Sequence, residues 1–369
     1  MELKPLAPAD EPLWDAFCLA NGDAWFWHTS GRLRYQTARQ KEAVPLHFFV
    51  ARENKIIAIC PLILQTIQTP GGTVPVFGPG NDFLPAPVAA DVLQPSDRER
   101  TLRTVFEEID RLAAEHGAAK ASFRSLPLSP RYLAPAIAPA NDLARFGYLD
   151  ASLDTQVLDL RPDEKTIWSG FRKSYHSLIR RTEERFSYRL IDAGLVTPEI
   201  FETYPRLHQK AAGRQTRSPE TFQMMREWVE TGRAFLSQAL DGERVVGCDL
   251  IITYKNYAYY GSACNDPDYD VEWALGHFLQ WKVMQTLKSR GVTYYELGWQ
   301  YPGPPLSYAP TAEERQIAFF KRGFGGLSLP FHRGEKYYSR DLFIAEYQQR
   351  LQSIAHSWPE RPQKQPVPN

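Results

Sequence analysis

Residues 311–326 read Thr-Ala-Glu-Glu-Arg-Gln-Ile-Ala-Phe-Phe-Lys-Arg-Gly-Phe-Gly-Gly. Thr311 is a helix cap, and Glu313 and Glu314 suit the positive end of the helix dipole. The helix then carries Phe319, Phe320 and Lys321 into a glycine-punctuated exit. Gly323 is read as the stop, because positive φ is cheap only for glycine. A lysine beside two phenylalanines and bare glycine backbone can be partly desolvated and aimed at a reacting carbonyl. The plain alternative is a helix that simply ends, with Lys321 in water. The flanking chain favours the first reading, because it places this segment at the end of a sheet.

Working back, Thr293–Leu297 is a strand and Gly298–Pro310 a long loop. Glu272–Arg290 is a helix stopped by Gly291. Ala234–Leu240, Val245–Tyr254 and Tyr257–Ala263 are three strands, the first two joined by the Asp241-Gly242 hairpin turn. Asp163–Phe186 reads as one long amphipathic helix with Trp168, Phe171, Tyr175, Ile179 and Phe186 on its apolar stripe. Two more helices begin at Pro198 and Pro219. The first half repeats this order: helices Ala9–Ala20 and Gly31–Lys41, strands Leu46–Arg52, Lys55–Thr69 and Thr73–Phe77, helix Ser96–Gly117, and strand Ala121–Ser125. Phe146-Gly147-Tyr148 stands where Phe324-Gly325-Gly326 stands later. The expectation is an α+β chain of two similar domains, each a mixed, mostly antiparallel sheet flanked by helices. Residues 1–160 form the first, 161–350 the second with the active site, and 351–369 a disordered tail rich in proline and glutamine.

The 43 basic and 43 acidic residues cancel, so no global field draws in nucleic acid and a polyanion needs a local basic patch. Cys18, Cys60, Cys248 and Cys264 are scattered. This spacing predicts reduced thiols in a cytoplasm and no metal site. No apolar run approaches a membrane span. The sequence is silent on oligomeric state.

The order strand-strand-strand-helix-strand-helix-strand resembles the acetyltransferase (GNAT) fold, and two such units in tandem resemble the FemAB family of aminoacyltransferases. The likeness covers roughly residues 5–345 and lies in Asp159-Leu160, Trp168 with Arg180-Arg181, Tyr294-Tyr295-Glu296-Leu297-Gly298, and Phe320-Lys321-x-x-Phe324-Gly325. It implies transfer of an amino acid from aminoacyl-tRNA to an amine of a cell-wall precursor, or a role in envelope polysaccharide formation. The long helical arm that some members insert is missing.

On this reading Lys321, with Phe320 beside it, stabilises the oxyanion of an aminolysis intermediate. Glu296, on an apolar strand, accepts the amine proton, or is salt-bridged structure. His277, near a helix start, is a second candidate base or a core histidine. Arg180 and Arg181 form the densest basic patch, for a diphosphate or tRNA backbone, unless Glu183 and Glu184 neutralise it. Arg214 and Arg217 are a second anion site. Trp299 and Gln300 line the cleft, and Tyr260 and Ser262 flank a bulge at Gly261.

Gly276 is the lone glycine of Glu272–His277, a poor phosphate cradle, and this favours a donor other than CoA. The function expected is therefore an acyltransferase forming an amide, without a bound cofactor. Aminoacyl-tRNA is the first donor and acyl-CoA the alternative, the latter implying N-acylation of an amino sugar. The acceptor is a small molecule or cell-envelope precursor. From another class, the chain would be a non-catalytic module binding a nucleotide-sugar.

Overall fold

The computed structural model describes residues 1–40, 42–69, 72–78, 83–133, 140–270, 272–301, 306 and 308–357. Its second half is built on one seven-stranded sheet in the order 187–191, 234–241, 244–254, 257–265, 294–300, 153–159 and 327–331. All neighbours are antiparallel except Tyr257–Asn265 and Tyr294–Gln300, which run parallel and pair only over Tyr257–Tyr259. Beyond Tyr259 the two strands part. A bulge at Gly261, between the pairs Leu250↔Ser262 and Ile251↔Tyr260, turns the first of them away. A Cβ at Gly261 would stand 3.0 Å from the Leu250 carbonyl oxygen, so glycine lets the bulge close.

The first half differs from the single sheet expected of it. Its strands form a four-stranded sheet and part of a second, seven-stranded one. Lys55–Thr69, read as one strand, is two: Lys55–Cys60 lies in the first sheet and Ile63–Thr69 in the second. Pro61 interrupts the ladder between them, having no N–H to donate. The division at 160/161 is not the division of the sheets either. Strand Leu153–Asp159 lies inside the second-half sheet, between Tyr294–Gln300 and Leu327–Phe331. Strand Arg333–Tyr337 returns to pair with Lys120–Arg124 in the first half.

Three further expectations change. Asp163–Phe186 is two helices, Glu164–Ser169 and Lys173–Arg185. They break where the Arg172 N–H leaves the helical ladder and donates to the Gly323 carbonyl at 2.7 Å. Gly323 is right-handed (φ −65°), and positive φ falls instead on Gly325 (77°) and Gly326 (80°). Gly323 is small for a packing reason, since any Cβ there would overlap the Tyr175 ring. Residues 351–357 are not tail but the end of helix Arg340–Ser357; the rest of the expected tail lies outside the described residues.

The two halves share one apolar core. Phe26 and Tyr35 pack on Trp228 with ring centres 5.0 and 4.7 Å apart. The Lys255 ammonium donates to the carbonyls of Asn21 (2.6 Å) and Ala24 (2.8 Å). Each such buried ring contributes about 1.5–3 kcal/mol, enough together to hold the cleft between the halves in fixed geometry. Among the described residues no helix is long and apolar enough to cross a membrane.

Candidate active site

The cleft opens where strand Tyr294–Gln300 meets helix Ala312–Arg322. A capping box starts the helix: the Glu314 N–H donates to Thr311 Oγ1 (3.1 Å), and the Thr311 N–H to Glu314 Oε2 (2.7 Å). The Gln300 side chain then ties helix to strand by donating to the Ala318 carbonyl at 3.0 Å. Tyr175 Oη donates to the Phe320 carbonyl at 3.0 Å and pins the helix end. These contacts fix Lys321, whose ammonium lies over Gly298. A Cβ at Gly298 would stand 2.8 Å from Lys321 Nζ and 3.8 Å from Tyr259 Oη. Gly298 has φ +104°, which a side chain would strain as well.

Two residues before Gly298, the Glu296 carboxylate is 2 % exposed and accepts from Thr155 Oγ1 at 2.8 Å. Burial pushes it up to about 7, against the opposing pull of that hydrogen bond and of the Arg124 and Lys321 charges. Burial pulls the Lys321 ammonium down to about 8, with Glu296 acting the other way. Neither residue makes an ion pair among the described residues. The site therefore holds one carboxyl and one ammonium, both poised near neutrality.

The cleft is narrow and walled by both halves: Trp27, Pro85 and Arg124 from the first, and Tyr259, Glu296, Trp299 and Phe331 from the second. Trp27 meets Tyr259 edge-on with ring centres 4.9 Å apart. The Arg124 guanidinium lies 5.1 Å from the Trp27 ring centre and 5.8 Å from that of Phe331.

Of the residues singled out from sequence, Lys321, Glu296 and Trp299 come together here. Phe320 faces the other side and forms an aromatic box with Tyr175 and Phe324 around His277. Burial there, with Arg172 nearby, holds His277 neutral, down at about 4. His277 is not among the residues that wall the cleft. Gln300 is buried structure rather than cleft lining. The bulge splits its flanks: Tyr260 packs in the core with Tyr295 and Phe235, while Ser262 sits at the bulge edge, paired with Leu250. Arg180 and Arg181 are exposed on helix Lys173–Arg185. Arg181 pairs with Glu272 at 3.1 Å and lies over Trp273, while Arg180 lies 5.7 Å from the Trp168 ring. Arg217 contacts His208 (2.6 Å) and Tyr35 Oη (3.3 Å), tying the halves together, and Arg214 is exposed nearby. Those four arginines lie apart from the cleft.

Sequence reading missed Trp27, Arg124, Tyr259 and Phe331. The cluster Trp25-Phe26-Trp27-His28 was a visible signal for the first. Nothing local marks Arg124.

Residues 169–304 match the acetyltransferase (GNAT) domain model, and the chain as a whole has a fold like that of tandem GNAT proteins. Among solved structures, FemX aligns over 94 % of this chain and 100 % of its own, at 12 % identity and a TM-score of 0.65. L-PGS from Bacillus licheniformis aligns over 94 % and 98 %, at 11 % identity and 0.57. A tandem GNAT protein from the clavulanic acid biosynthesis pathway aligns over 92 % and 98 %, at 15 % identity and 0.50. At these identities the likeness is one of fold. No curated protein matches the chain by sequence.

Proposed function

We propose that the protein transfers an aminoacyl group from aminoacyl-tRNA to the amine of a small or cell-envelope precursor, in the cytoplasm. The observation that carries this reading is the buried Glu296 carboxyl and, over Gly298, the Lys321 ammonium that has no ion pair among the described residues. The Glu296 carboxylate takes a proton from the incoming ammonium, and the freed amine attacks the ester carbonyl. The C–N bond forms, and the Lys321 ammonium stabilises the oxyanion. As the C–O bond breaks, the Glu296 carboxyl gives its proton to the leaving ribose oxygen, and the carboxylate so re-formed takes the surplus proton from the new C–N nitrogen and releases it to solvent.

Helix Leu275–Ser289 supports an ester donor over a CoA thioester. Its cap, Ala274, offers no side-chain bond, and Glu272 stands at its mouth. Phe320 packs 3.6 Å from where a Cβ of Gly276 would be, narrowing the space for a pyrophosphate. Acyl-CoA is the alternative donor, favoured by the match of residues 169–304 to an acetyltransferase domain. The test incubates purified protein with charged tRNAs or with acyl-CoAs, each with a panel of amines, and follows new amides by mass spectrometry. Transfer from charged tRNA that disappears in Lys321→Ala is the expected result. Transfer from thioesters alone would replace the donor.

A further inference from the structure

We propose that Thr155 is a positioning residue of the transfer site: its hydroxyl holds one oxygen of the Glu296 carboxylate and so reserves the other for the proton that passes to and from the substrates. This deepens the transfer reading above and rests on it for the role of Glu296 as base.

Thr155 and Glu296 lie on neighbouring strands, Leu153–Asp159 and Tyr294–Gln300, which pair antiparallel. The register shifts between Gln156 and Val157, so Glu296 stands opposite Val157 while Thr155 stands opposite Trp299. From there Thr155 Oγ1 donates to Glu296 Oε1 at 2.8 Å, the one hydrogen bond that the carboxylate makes among the described residues. Oε2 is left without one, on the one carboxylate that walls the cleft. Thr155 is fully buried and does not itself wall the cleft. Buried side chains bond more often to backbone or water than to one another, whereas this hydroxyl reaches across strands to the base.

A hydroxyl carries one proton, and β-branching leaves this side chain few rotamers, so the proton stays aimed at Oε1. When Glu296 is protonated, Oε2 receives the proton and Oε1 goes on accepting as a carbonyl. The bond favours the charged form, because a carboxylate accepts more strongly than a neutral acid. Two other groups favour the carboxylate by charge alone: Arg124 from strand Lys120–Arg124 and Lys321 from helix Ala312–Arg322. Tyr259 and His28 also wall the cleft, and burial holds His28 neutral, down at about 4. None of these four hydrogen-bonds to Glu296 among the described residues. Orientation of the carboxylate therefore falls to Thr155.

The test compares the wild type with Thr155→Val, which keeps the shape and removes the hydroxyl, and with Thr155→Ser, which returns it. One readout is the pH dependence of kcat/KM for amide formation. The other is the titration of the Glu296 carboxyl by infrared difference spectroscopy, its band assigned with Glu296→Gln. In the wild type at low pH the band should be that of an acid whose carbonyl accepts a hydrogen bond. In Thr155→Val it should become that of a free carbonyl, and the infrared midpoint and the rising limb should both move up by about one pH unit, the effect of losing a hydrogen bond to a charged group. Below both midpoints kcat/KM should then fall about tenfold. Thr155→Ser should restore band, midpoint and limb. If Thr155→Val does not fold, Thr155→Ala takes its place with the same readouts. A free-carbonyl band in the wild type, an unmoved midpoint in the folded variant, or a Thr155→Ser protein that behaves like Thr155→Val would overturn the inference. Absence of turnover with every donor would sink the transfer reading, and the infrared band and midpoint would still decide whether Thr155 sets the Glu296 carboxyl. Intact turnover with an unmoved limb would sink this inference alone.

Discussion

The Lys321 ammonium occupies the space that a side chain at position 298 would need, 2.8 Å from where its Cβ would stand. Gly298→Ala must therefore move the lysine, and it also strains a backbone held at φ +104°. The strain should cost roughly 1–3 kcal/mol of stability. The turnover loss should approach that of Lys321→Ala, on the order of 100-fold to 1000-fold. Parallel thermal unfolding and kcat measurements check both. A variant that unfolds earlier yet turns over normally would separate Lys321 from the chemistry.

The pH profile should be bell-shaped. The working form has Glu296 deprotonated and Lys321 protonated, so the rate rises as pH passes about 7 and falls beyond about 8. Glu296→Gln should remove the rising limb and lower kcat by roughly 100-fold or more. A rising limb that persists in this variant would assign the proton to another group.

Stability should depend on a second cluster of buried charge. The Glu335 carboxylate accepts two hydrogen bonds from Arg350, both 2.7 Å, and lies 2.7 Å from Lys120 Nζ. Burial alone would raise its pKa, but Arg350 and Lys120 hold it down at about 2, below its ordinary value of 4.5. The stabilisation is therefore complete above about 4.5 and is lost as pH falls toward 2. Arg350→Leu should cost about 3 kcal/mol near neutral pH by leaving a buried carboxylate short of its main partner. Denaturant unfolding at neutral and acid pH checks the magnitude and the sign.

Lys173 and Arg180 are exposed on helix Lys173–Arg185. Reversing both charges should raise KM for a charged tRNA by roughly tenfold at low salt, with the effect shrinking as salt rises. The acceptor KM should stay unchanged. An effect equal at all salt concentrations would point to misfolding instead.

What the chain discloses in one dimension depends on range. The helix ending in Phe320-Lys321 was legible because its cap, Thr311 with Glu314, and its glycine exit are local. The bulge at Gly261 was expected only by analogy with the fold, since nothing in the local residues dictates it. The passage of the chain from one sheet to another at Pro61 was not, since Lys55–Thr69 reads as uninterrupted strand and only pairing partners tell the two pieces apart. Gly323 was assigned a backbone role when its role is spatial, because Tyr175 lies far back in the sequence. Glu296 and Lys321 were found through the Tyr-Glu-Leu-Gly and Phe-Lys runs. Arg124 and Trp27 reach the site only through the packing of one half against the other, which no local spacing records. His277 was picked out by its helix-start position, and its ring contacts with Tyr175, Phe320 and Phe324 could not be read from that position.

Strand Arg333–Tyr337 completes a sheet whose other members are made early, alongside Lys120–Arg124 and Leu149–Asp150. During synthesis that strand leaves the ribosome only after every strand of the second-half sheet has emerged. The early sheet must wait with an open edge while the later one assembles, which reverses the usual order in which a nascent chain matures from its N-terminus. Cutting the gene at the midpoint would give two fragments that each lack a strand carried by the other, and only their co-expression should restore a soluble product.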